Sequence, residues 1–137
     1  ARYRKLAGDR AAIGSLMAQL QSAGLQDKVT FMTLNVFGRT LMTNGGGTAA
    51  NGRTHNQNHQ VSVTIGKPYK AGVVGGVGPV AGDYGATGIS SSNGASSGSG
   101  DIAAVDSLGA YAKTLIAGVG GDPSVITTGK VVTGALT

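Results

Sequence analysis

The chain has 137 residues, enough for one domain around one core. Hydrophobic residues make up 40% of it and cysteine is absent, which suits a globular chain and excludes disulfides and thiolate metal sites. The net charge is +5, yet aromatic residues are only 4%, too few to interleave a basic surface with stacking platforms, which argues against a nucleic-acid binder. No apolar run is long enough to span a membrane. No signal peptide is recognisable, and a first residue of Ala rather than Met leads to the expectation of a processed or partial chain. All six acids are aspartates, and the 25 glycines imply long loops, tight turns and close backbone approaches.

From about Tyr3 to Leu25 the apolar residues Leu6, Ile13, Leu16, Met17 and Leu20 recur at helical spacing, and Gly24 is placed to end the helix. Arg2, Arg4, Lys5 and Arg10 crowd its start, which fits either a contact with phosphate or headgroups or a solvated helix end. Val29 to Phe37 (VTFMTLNVF) is β-branched and apolar on both faces, the pattern of a strand buried in the middle of a sheet. A helix, a short turn and a buried strand predict an α/β fold with a mostly parallel sheet. Asn44 to Asn58 reads as a polar, glycine-rich loop, and Gln60 to Ile65 as a second strand. Residues 67–82 suit short extended pieces. Residues 86–100 (ATGISSSNGASSGSG) are Gly/Ser-rich and are expected to form a flexible loop within a single domain, 1–137. Asp101 is placed to cap a second helix reaching to about Gly118, with Ile102, Val105, Leu108, Ala112, Leu115 and Ile116 as its buried stripe. Asp122-Pro123 opens a turn, and Lys130 to Leu136 is a last short strand or an extended tail.

The candidate functional residues follow the same order. Phe37-Gly38-Arg39-Thr40 closes the first strand, and the planar fork of Arg39 could hold an anionic group there, pair with a nearby aspartate or cap carbonyls. His55 and His59, the only histidines, stand four residues apart in a polar segment. Imidazole ligates metals and shuttles protons, but two histidines fall short of a closed metal site, and hydrogen bonds to backbone are the plainer reading. The glycine-rich run Gly72 to Gly82 lacks the strand-to-helix context of a phosphate cradle.

These pieces in this order resemble the bacterial family known as domain of unknown function 1501, within the alkaline-phosphatase and sulfatase superfamily. The resemblance rests on Leu16 to Thr40 (LMAQLQSAGLQDKVTFMTLNVFGRT), Asn51 to His59 (NGRTHNQNH), Gly66 to Gly76 and Asp101 to Pro123. It implies a three-layer α/β/α fold, of which this chain would be the C-terminal half, and export by the twin-arginine route to the periplasm or beyond. It also implies an ancestral site for a divalent metal such as zinc or magnesium. His55 falls on the family's metal-type histidine and Arg39 on its signature arginine; His59 would bind metal or move a proton. The departures weigh against catalysis: the family's glutamate is Val36 here, and its aspartate is Thr54. Hard cations and catalytic zinc want carboxylates. The first expectation is therefore a degenerate domain serving as a structural or interaction module beside a protein partner or an N-terminal segment. The alternative is a metal-dependent phosphate- or sulfate-ester hydrolase whose other ligands lie in such a partner or segment.

Overall fold

The structure, a computed structural model, describes residues 2–43 and 53–137. Most of the predicted Asn44 to Asn58 loop, residues 44–52, lies outside the described residues, as do the side chains of Arg2, Arg4, Lys5, Leu6 and Arg10.

The first helix, α1, spans Arg2–Ser22. Its Ala, Leu, Met, Gln and Arg content favours the helix, and Gly24 ends it as predicted. Gly24 adopts φ 68°, Leu25 N–H bonds Leu20 O at 2.8 Å, and Gly24 N–H bonds Gln21 O at 3.0 Å. Those two bonds form the Schellman closure, for which glycine is suited because it has no Cβ to clash in the left-handed region. The stripe is less covered than its spacing suggests, since Ile13 and Leu16 are exposed.

Strands β1 (Phe31–Met32), β2 (Gly38–Thr43), β3 (Arg53–Asn56), β4 (Thr64–Ile65), β5 (Val77–Val80) and β6 (Asp83–Ala86) follow. They pair antiparallel as β1–β4, β2–β3 and β5–β6, in three separate two-stranded sheets. The expected three-layer α/β/α fold with a mostly parallel sheet is thus overturned. Parallel neighbours need a crossover of a dozen or more residues between strands that each run long enough to pair. Here the glycine-rich chain breaks into strands of two to six residues that fold back on near neighbours. The apolar run Val29 to Phe37 is a strand only at Phe31–Met32, and its Leu34 and Val36 are 65% and 85% exposed rather than buried.

A short 3-10 turn, Ala104–Asp106, leads into the second helix, α2, at Ser107–Gly118. Asp101 is not its cap. The Asp101 carboxylate accepts from Ser91 N–H at 2.8 Å, from Ser91 Oγ at 2.7 Å and from Lys130 Nζ at 3.0 Å. The buried face is also rotated from the predicted stripe: Ala110 and Thr114 are buried, whereas Val105 and Leu108 are exposed. At its end Gly120 takes φ 78°, Gly121 N–H bonds Ile116 O, and Gly120 N–H bonds Ala117 O, repeating the closure of α1.

The core sits beside α2 and consists of Ile89, Ile102, Ala110 and Val132, with Ala135 packed against it. Ile89 and Ile102 exchange both backbone hydrogen bonds, at 2.9 and 3.0 Å. Thr114 ties the C-terminal segment to α2: its Oγ1 donates to Ala110 O at 2.7 Å and accepts from Val132 N–H at 2.9 Å. The Gly/Ser-rich segment 86–100, expected to be a flexible loop, supplies Ile89 to this core and is threaded by backbone bonds such as Ser90 N–H to Ala95 O and Ser97 N–H to Gly88 O. The C-terminal residues form a 3-10 turn at Thr133–Ala135 and pair back on 68–70 through Lys70 N–H to Ala135 O and Thr137 N–H to Pro68 O.

Candidate functional site

The β2–β3 hairpin gathers two of the three candidate residues. Its register places Arg39 directly opposite His55, and Gly38 opposite Asn56. Residues that alternate along a strand share a face, so Phe37 and Arg39 lie on the same side as His55. The Phe37 and His55 rings stack with centroids 3.7 Å apart and an interplanar angle of 24°. The Arg39 guanidinium carbon stands 5.5 Å from the centre of the Phe37 ring, within cation–π reach.

The guanidinium groups also close the hairpin. Arg39 Nη1 donates to Arg53 O at 3.2 Å, and Arg53 Nη1 donates to the carbonyls of Thr40 and Leu41. On the opposite face Thr54 N–H and Oγ1 both reach Thr40 Oγ1. Of the roles left open by sequence, the structure shows the carbonyl cap, made by Arg39 Nη1.

His59 lies elsewhere. Its ring rests on the backbone of Gly38, and its Nδ1 is 3.2 Å from Tyr84 O. The same carbonyl accepts from Asn56 Nδ2 at 2.9 Å, and Asn56 Oδ1 accepts from Asn58 N–H, so the buried Asn56 amide pins the β3 end to β6. Asp83 joins β6 to β2 through Leu41 N–H at 3.0 Å. Hydrogen bonds from the Tyr84 and Leu41 backbone hold the Asp83 carboxyl below the usual carboxylate range, and the charge of His59 acts in the same direction. An open cleft of about 390 Å³ runs between these elements, lined by Thr40, His55, Asn56, Asn58, Ala81 and Asp83 among others.

Among the described residues no three His, Cys, Asp or Glu side chains converge so as to hold a metal ion. Among the described residues, the donor set that a divalent cation needs is not assembled around His55 and His59. Val36 is exposed, and Thr54 bonds Thr40.

Sequence reading missed Arg53, Asn56, Asp83 and Tyr84. Asp83 carried a signal, as the polar residue directly after the glycine-rich run Gly72 to Gly82. Comparison with protein-family models, with curated proteins and with solved structures found no match for this chain. Among the described residues, no helix is long and apolar enough to cross a membrane.

Proposed function

We propose that this chain is a structural and interaction module, completed by a further protein segment laid against the ribbon of residues 29–37 and 61–65. The observation that carries the reading is the exposure of this ribbon on both faces. Phe31 pairs with Ile65 and Met32 with Thr64, and the ladder continues through Thr33 N–H to Val63 O. In an antiparallel pair, directly opposed residues share a face. One face therefore carries Val61 and Val63, at 64% and 49% exposure, and the other Met32 and Leu34, at 40% and 65%.

Side chains apolar on both sides of a strand belong between two layers. Among the described residues, the only side-chain bond from this ribbon to α2 is Thr64 Oγ1 to Tyr111 Oη, at 2.8 Å. Each ribbon strand is also an edge, with backbone groups open to a further strand. Both features call for a protein partner or an additional segment.

The test is sedimentation and ANS fluorescence of the whole chain, alone and with Leu34→Asn and Val63→Thr together. The unmodified chain should bind the dye and self-associate, and the double variant should do neither. A monomeric chain that ignores the dye and is unchanged by the substitutions would refute the reading.

A further inference from the structure

The β2–β3 hairpin presents two arginines whose oxyanion-binding edges are unused. Arg39 and Arg53 spend Nη1 on backbone carbonyls, and no further hydrogen bond involves either guanidinium among the described residues. The ion pairs of the described residues are Lys67–Asp27 and Lys130–Asp101, so neither hairpin arginine is neutralised by one. The Asp83 carboxylate, which reaches the hairpin at Leu41 N–H, also bonds Tyr84 N–H, and no arginine figures among the charges that act on it.

Tethering at Nη1 matters because it orients the rest of the fork. A guanidinium carries five N–H donors in one plane, and its Nε–Nη2 edge matches the oxygens of a carboxylate or phosphate. Fixing one edge removes part of the rotamer entropy that a long side chain loses on binding. Arg39 is further held over Phe37, whose ring in turn stacks on His55. Arg39, Arg53 and His55 are all exposed.

We infer that Arg39, Arg53 and His55 form an oxyanion-binding face on the β2–β3 hairpin, taking a carboxylate or phosphate group. The three residues lie on β2 and β3, and the site shares only Phe37 with the ribbon described above. Arg39 was a candidate on sequence; Arg53 and His55 join it through the hairpin register and the pair of carbonyl caps.

The test is an NMR titration of the whole chain with sodium phosphate and, separately, sodium glutamate, at constant ionic strength. The Arg39 and Arg53 Nε–H and His55 ring signals should shift and saturate. Arg39→Gln should weaken the apparent affinity roughly tenfold, the usual effect of losing a charged hydrogen bond. Arg53→Lys, which keeps the charge and the carbonyl contact but not the planar fork, should weaken it as well. Lys113→Gln, a charge removed from α2, should leave it unchanged. Saturation by glutamate as strongly as by phosphate assigns the site to carboxylates, and saturation by phosphate alone assigns it to phosphoryl groups. Shifts that never saturate, or that fall equally in the Lys113→Gln variant, would be ionic screening and would overturn the inference.

Discussion

The His59 ring lies so close to Gly38 that a Cβ on that glycine would stand 2.2 Å from His59 Nε2. Gly38→Ala must therefore turn the imidazole away and break its contact with Tyr84 O, at a cost of about 1 kcal/mol. Gly100 offers a contrast. A Cβ there would meet the Ile89 backbone at 2.6 Å, and the Ile89–Ile102 bridge cannot swing aside as a ring can. Gly100→Ala should cost about 3 kcal/mol or more. Urea unfolding of the two variants checks the ranking.

Between β5 and β6 the register closes on Val80 and Asp83, leaving a two-residue turn of Ala81 at φ 49° and Gly82 at φ 79°. Positive φ at both positions marks the type I′ turn, which prefers Asn or Gly first, and an alanine there is strained. Ala81→Asn should stabilise the chain by about 1 kcal/mol, seen as a higher Tm without change in the far-ultraviolet spectrum.

Asp101 links segment 91 to Lys130. Its carboxyl is held well below the usual range, first by the Ser91 N–H, then by the Ser91 hydroxyl and by Lys130. A carboxylate whose folded pKa is depressed contributes stability that is present above its unfolded pKa, about 3.9, and is lost as pH falls below it. Wild type should be more stable than Asp101→Asn at pH 7, and the gap should narrow as pH drops below about 4. A gap that stays constant down to strong acid would contradict the linkage. Thermal melts across the pH series measure it.

The parts of this fold that depend on near neighbours were legible in the sequence. α1 and α2 both end where Gly24 and Gly120 could take the left-handed closure, and Asp122-Pro123 opens a 3-10 turn in which Asp122 accepts from Ser124 N–H. What failed was pairing at long range. Val29 to Phe37 has the composition of an inner strand, but no local pattern states whether the chain supplies the flanking layers. The rotated face of α2 has a similar cause: the core selects the small Ala110 and Thr114, against which Val132 can approach closely, and leaves the larger Leu108 outside. At the site, residue chemistry pointed to Arg39 and His55. That they face each other follows from a register set by the closing of the hairpin, and that step also brings in Arg53.

The last prediction concerns Ser62, between the exposed Val61 and Val63. Its hydroxyl is buried without a hydrogen-bond partner among the described residues. A buried hydroxyl left unpaired costs about 1–3 kcal/mol, so Ser62→Ala should stabilise the isolated chain by roughly 1 kcal/mol. Association should be unchanged, because a hydroxyl already buried in the free chain is out of reach of a segment laid over the ribbon. Unfolding of the free chain, together with sedimentation of wild type and variant at matched concentration, checks both expectations. A variant less stable than wild type would mean that the hydroxyl makes a bond in the folded chain.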